Sequence, residues 1–241
     1  MKNNQYTDFY NQVEETIRQR SCPVMNTHRA EAFRVFSTQG FPSKKVERYK
    51  YTDVAQDFAP DYGIQLSPIA TERTEFCCSI KEAPLDVTPY YNNIADNADA
   101  VVALNTMLAV DALLIYVPRN TRAKHPIQIN NMLKGKQDTM TNRRVLIIME
   151  EGAQADIIIT DHAIDHQQFL TNQVIEAYCA DNSHLNLYEI EETKTTQELQ
   201  LNMQRVTQKM TKDIAKVTGW TTSRNMQLII TIITQMMIAN I

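Results

Sequence analysis

His162 and His166 stand four apart, with Asp161 and Asp165 beside them. On a helix, that spacing puts two imidazoles on one face, as a metal ion requires of its ligands. The pair follows a β-rich run and lacks the H-E-x-x-H pattern, so a polar turn is the preferred reading. Gly135-Lys136 resembles the end of a phosphate-binding loop. Such a loop needs G-x-x-x-x-G-K-[ST], because successive backbone N–H groups must cradle the phosphates. Asn130 replaces the first glycine and Gln137 the hydroxyl residue, so a solvated loop is expected there. Glu150, Glu151, Asp156 and Asp161 could supply paired carboxylates for glycoside hydrolysis, which requires a set separation across a cleft. Solvated turns are the plainer reading of these acids.

The thiols offer little more. Cys179 falls in phase with Ile175 and Ala177 on an apolar face, and free cysteine is among the most often buried residue types. An inert core thiol is therefore preferred over a nucleophile or a metal or sulfur ligand. Cys77 and Cys78 are neighbours in a strand-like segment, so at most one should face out. There is no C-x-x-C pair and no G-x-S-x-G elbow. No catalytic residue and no metal ligand is assigned, cofactor-binding residues stay unknown, and the chain is read as a non-enzyme.

Residues 44–51, KKVERYKY, mix basic and aromatic side chains in the manner of a single-strand nucleic-acid contact. A solvated face whose tyrosines pack on a neighbouring element is preferred. The formal net charge of −4 argues against broad nucleic-acid binding, which needs a strongly basic surface.

These residues must be held by a scaffold of ordinary composition, 43% hydrophobic and 22% charged over 241 residues. Phe9, Val13 and Ile17 recur at helical spacing. A second helix is expected to start at Asn26 or Thr27 as cap, to gather Ala32, Phe33 and Phe36 on one face, and to stop at Gly40 and Pro42. Four prolines between residues 53 and 90 argue against long elements there. Val101, Leu104 and Leu108 predict a short helix begun in the turn from Asp96 to Asp99.

From residue 113 the texture becomes β-rich. Runs at 113–117, 126–130, 144–149, 155–160, 172–179 and 184–191 start about 11–18 residues apart. Glu176 and Tyr178 alternate against Ile175, Ala177 and Cys179, which predicts one wet face there. The runs VLII and DIII, apolar on both faces, predict buried strands. Periodicity alone leaves open whether the strands coil in parallel or form a sandwich. The expected division is an α-rich or mixed domain over 1–110 and a β-domain over 111–241. Residues 228–241, LIITIITQMMIANI, form an uncharged β-prone run that something should cover, or else the chain is cut short of a complete fold. Residues 1–20 carry both charge signs and no apolar core of a secretory signal, and no apolar run is long enough for a membrane span, so cytoplasm is expected.

Residues 40–53, GFPSKKVERYKYTD, resemble the "GFP…E-x-W-K-Y-T" segment near the start of SufD, within the SufB/SufD family of iron–sulfur cluster assembly proteins. Tyr49 stands at the family's tryptophan position. Leu104-Asn105-Thr106, His125-Pro126-Ile127, residues 143–147, Glu151-Gly152-Ala153 and residues 180–185 follow in the family's order. The resemblance implies a helical N-terminal part followed by a right-handed parallel β-helix. It also implies a scaffold that pairs with a SufB-like protein and a SufC-like ATPase, the cluster being handled by the complex. Residues 222–225 depart from the family's "G-x-T-R-N" turn, and the chain ends where members continue, which reads as truncation. A polysaccharide-acting β-helix enzyme and a self-associating structural protein are the alternative expectations.

Overall fold

The computed structural model describes residues 4–51, 53–68, 71–95, 97–165, 167–193, 202–209, 215–221 and 227–235. Among these, two β-sheets are accompanied by five α-helices, all of which precede β3 in the chain. The helices are α1 (Asn4–Arg20), α2 (Pro23–Thr27), α3 (Arg29–Gln39), α4 (Val54–Asp57) and α5 (Ala100–Leu108). α1 buries Tyr6, Tyr10 and Ile17 against Ala32, Val35 and Phe36 of α3 and the buried α5. α3 ends at Gly40, whose φ of 65° is cheap only for a residue without a Cβ. Its start differs from expectation. His28 occupies the cap with no side-chain bond, because Asn26 instead accepts from Arg29 Nε and donates to the Arg18 carbonyl. α5 begins as expected, with the Asp99 carboxylate accepting from the Val101 N–H.

The first sheet, called A, has the order β2 (Cys77–Ser79), β3 (Leu113–Val117), β5 (Thr139–Met149), β7 (Phe169–Cys179), β11 (Gln227–Gln235), β9 (Asn202–Lys209). β1 (Gly63–Gln65) also pairs with β5. Sheet A is mixed, because β2 runs antiparallel to β3 while the later pairs are parallel. Sheet B is parallel, in the order β10 (Ala215–Thr221), β8 (His184–Thr193), β6 (Gln154–Ala163), β4 (Ile127–Leu133).

From β3 to β8 the chain alternates between the two sheets. Val145 pairs with Ile175, Ile127 with Ile157 and Ile157 with Leu187, each step 30 residues along the chain. The turns from A to B also stack. Asn120, Gly152 and Asn182 all have positive φ, and each sits at the corresponding point of its turn. The Asn120 N–H donates to Glu151 O, and the Gly152 N–H to Asp181 O. Gly152 is required twice over: its φ is 69°, and a Cβ there would run into the Asn120 side chain.

Alternate residues of β5 and β7 (Val145, Ile147, Met149, Ile175, Ala177, Cys179) pack between the sheets against Ala155, Ile157, Ile159, Leu185 and Leu187. The predicted wet face of β7 is a correction: Glu176 is 0% and Tyr178 3% exposed. Residues 91–95 and α5 cover that face, which period-2 alternation cannot reveal. The DIII run also differs, since Asp156 is exposed and Ile158 half-buried on the outer face of sheet B. The C-terminal run is not an uncovered edge. β11 is hydrogen-bonded in register to β7 on one side and β9 on the other. Residues 236–241 lie outside the described residues.

Candidate functional site

The densest polar cluster lies where α5 and residues 91–95 meet sheet A. Arg144 of β5 and Glu176 of β7 are both fully buried, with Nη2 donating to Oε2 at 2.6 Å. Arg144 also donates to Asn92 Oδ1 (2.8 Å) and Thr106 Oγ1 (3.2 Å), and sits 4.9 Å from the Tyr91 ring centroid. The Glu176 carboxylate accepts backbone N–H bonds from Asn92, Ile94 and Ala95. Asn92 has φ 57°, a left-handed conformation asparagine tolerates, and this turns the loop's N–H groups onto the carboxylate. Burial works against the Arg144 charge. Glu176, through its charge and its hydrogen bond, together with Tyr91 and Tyr178, outweighs that burial and raises the guanidinium's proton affinity above its ordinary value.

Asn105 of the Leu104-Asn105-Thr106 segment straddles two strands, its Nδ2 donating to the carbonyls of Arg143 (2.9 Å) and Asn172 (2.7 Å). Arg29 closes the other end of α5. Its guanidinium donates to the carbonyls of Thr106, Met107 and Ala109, to Ser21 Oγ and to Asn26 Oδ1. A cation on these orphan carbonyls is favourable both as hydrogen bonding and against the helix dipole. Tyr49, buried at 1% exposure, donates to both carboxylate oxygens of Asp99 at the start of α5. α5 is therefore fixed at its start, middle and end by residues distant in sequence.

A cleft of about 240 Å³ opens beside the A-to-B turns, lined by Tyr90, Arg119, Ile148, Met149, Glu150, Glu151, Tyr178 and Ala180. Arg119 Nη2 donates to Glu151 at 2.6 Å, and its backbone N–H to Glu150 at 2.8 Å. Tyr178 donates to the Tyr90 carbonyl, and their rings meet edge to face at 5.1 Å. Burial, then a hydrogen bond with Glu150, pushes the Tyr116 hydroxyl up to about 12.

The four acids of the carbohydrate reading are not brought together. Glu150 and Glu151 lie at the cleft, Asp156 bonds Asn186 on the outer face of sheet B, and Asp161 points between the sheets, paired with Arg143. Asp161 is thus strand rather than turn, a correction caused by β6 running on to Ala163. His162 lies on β6, so the helical H-x₃-H geometry does not arise, and His166 lies outside the described residues. No cluster of three metal-ligating side chains occurs among the described residues. Gly135 and Lys136 sit in the loop before β5, where the Gly135 N–H donates to Asp165. Cys179 is a core residue whose thiol burial pushes up to about 11. Cys77 and Cys78 face opposite cores and both are buried, because β2 is covered on its two faces. In the basic segment Tyr49 packs inward as expected, while Tyr51 is 85% exposed.

Sequence reading missed the Arg144–Glu176 pair. Its signal was a basic residue opening the apolar run RVLIIM and an acid inside the run NQVIEAYC, about one 30-residue step further on.

The stacked strands and their docked helix match two family models: the SufBD protein N-terminal region, over residues 1–87 and 75–129, and the SUF system FeS cluster assembly SufBD core domain, over residues 131–235. The chain belongs to the SufBD family. Two curated relatives come from Arabidopsis thaliana. Iron-sulfur cluster assembly SufBD family protein ABCI9 is 31% identical over 114 residues, which is 45% of this chain and 24% of the relative. Protein ABCI7, chloroplastic, is 29% identical over 97 residues, 37% of this chain and 20% of the relative. The matched stretches thus span a quarter or less of those relatives' own length. Membership of the SufBD family supports a role in the SUF system of iron–sulfur cluster assembly. Among the described residues, no helix is long and apolar enough to cross a membrane.

Proposed function

We propose that this SufBD chain is a SufD-type component of the SUF assembly complex, acting by holding partners rather than by catalysis. The observation that carries the reading is the 30-residue register of strands alternating between two sheets, inside the stretch matched by the SufBD core domain. We read those strands as successive coils of a parallel β-helix, right-handed by the general rule for parallel crossovers. The SufD assignment draws on residues 40–53, whose Tyr49 anchors the start of α5. A non-catalytic role is supported by what the candidate groups do instead: Glu151, Asp156 and Asp161 are held in ion pairs or ladders, and Cys179 is packed in the core.

The partners in this reading are a SufB-like scaffold and a SufC-like ATPase, with ATP hydrolysis belonging to the latter. The cluster is cargo of the complex, and no residue of this chain is assigned to it. The compartment would be the cytoplasm, although one relative is named as chloroplastic. Affinity-tagged chain should co-purify with the SufB-like and SufC-like proteins of the same organism and show no ATPase activity alone. Failure to retain either partner would sink the proposal.

A further inference from the structure

The cleft beside the A-to-B turns is shaped by the strand register. Continued past Val117, Met149 and Cys179, that register sets Pro118, Glu150 and Ala180 side by side, and next to them Arg119, Glu151 and Asp181. The backbone bonds follow it. The Glu150 N–H donates to Val117 O, the Ala180 N–H to Met149 O and the Asn120 N–H to Glu151 O. Two carboxylates and one guanidinium line the cleft, which leaves negative charge in excess. Both carboxylates are held in place. Glu150 accepts from the Arg119 backbone N–H (2.8 Å) and from the Tyr116 hydroxyl, and Glu151 from Arg119 Nη2 (2.6 Å). A carboxylate has about four acceptor sites, so each can take further donors. Much of the remaining lining is apolar or aromatic, with Ile148, Met149 and the edge-to-face pair Tyr90 and Tyr178. At about 240 Å³ the cleft is smaller than the roughly 300–1,000 Å³ of sites for drug-sized ligands, too small for a nucleotide and suited to one long side chain. Its rim is wet: the Arg119 and Glu151 side chains are 63% and 44% exposed. Aromatic walls inside a wet polar rim are what a protein–protein anchor pocket presents.

We propose that this cleft receives one arginine side chain of a partner polypeptide, its guanidinium on Glu150 and Glu151 and its stem against Tyr90 and Tyr178. That the guest is a cation follows from the charge of the lining. Arginine is chosen over lysine by the pairing of two carboxylates with two rings, because a planar fork can bond more than one acceptor while it stacks on an aromatic face. The inference stands whether or not the SUF reading holds.

The probe is a blocked Ala-Arg-Ala tripeptide titrated into the full chain and followed by the amide chemical shifts of Ile148, Glu150, Glu151, Tyr178 and Ala180. Saturable shifts are expected with a Kd on the order of 1–10 mM, ordinary for one side chain. The corresponding citrulline tripeptide, similar in shape but uncharged, should bind about tenfold more weakly or not at all. The double variant Glu150→Gln/Glu151→Gln reverses the sign of the lining charge and should weaken the arginine tripeptide by a similar factor. Asp156→Asn, on the outer face of sheet B, should leave binding unchanged. Tyr90→Leu should weaken it about two- to fivefold. Should a substituted chain not fold, the citrulline comparison on the unaltered protein still decides. Absence of shifts at concentrations well above that Kd, equal binding of the two tripeptides, or binding that the double variant retains in full overturns the inference. Butylguanidinium that binds where the arginine tripeptide does not would make the occupant a small free cation and overturn it equally.

Discussion

Glu176→Gln should be among the costliest single-atom changes this protein can suffer. The substitution removes the charge facing Arg144, whose side chain is 0% exposed. A buried ion that loses its partner costs about 3–5 kcal/mol, against a total stability of roughly 5–15 kcal/mol for an ordinary domain. Arg144→Met should cost a similar amount, since it leaves the Glu176 carboxylate without its cation, although three backbone N–H groups still bond it. The double variant Arg144→Met/Glu176→Gln removes both charges and keeps an amide oxygen for those N–H groups. Its cost should fall short of the sum by about 2–3 kcal/mol. Urea denaturation followed by far-ultraviolet ellipticity measures all four corners of the cycle. The coupling should also be insensitive to added salt, because screening acts weakly on a buried pair. Where a single variant yields no soluble protein, recovery by the double variant reports the same coupling. Single costs below about 1 kcal/mol, or additivity within about 0.5 kcal/mol, would refute the view that this pair clamps α5 and residues 91–95 to sheet A.

Three further outcomes are expected. Asp57 is 8% exposed, its Oδ2 has no hydrogen-bond partner, and burial, with Asp53 nearby, pushes its carboxyl up to about 6. The raised native value means its favourable contribution is full below about pH 4 and is lost as pH rises through about 6. Asp57→Asn should therefore stabilise the protein near pH 7.5, by at most about 3 kcal/mol, and the gain should vanish below about pH 4; an equal gain at both pH values in denaturation curves counts against this. Arg29→Met strips the C-terminal carbonyls of α5 of their donors and should cost about 3 kcal/mol or more by urea denaturation, and a loss under about 1 kcal/mol would remove Arg29 from its capping role. Iodoacetamide should alkylate half-buried Cys22 well before Cys179, and peptide mapping that finds Cys179 modified first in native protein would contradict its placement in the core.

Helices α1, α3 and α5 and the strands from β3 to β8 were legible in the residues themselves, whereas α2, α4, β1, β9 and β10 were not. The stripe of Phe9, Val13 and Ile17 marks α1, Gly40 ends α3, Asp99 begins α5, and LLIYV coincides with β3. These are local effects: a cap, a missing Cβ and an apolar period act within a few residues. The same locality hid the polar joint. Alternation put Glu176 and Tyr178 on the opposite face from Ile175 and Ala177, but not what would lie over them. Only the return of α5 and residues 91–95 made that face an interior, and a carboxylate there had to find Arg144 and three N–H groups because burial without them is prohibitive. Cys77 and Cys78 repeat the lesson, facing opposite ways and both buried. So does the run at 228–235, whose composition marks it as aggregation-prone but whose two paired edges come from strands far away in sequence. Which side chains share a face follows from backbone geometry. Whether that face meets water depends on contacts between distant segments, and those the tertiary structure alone decided.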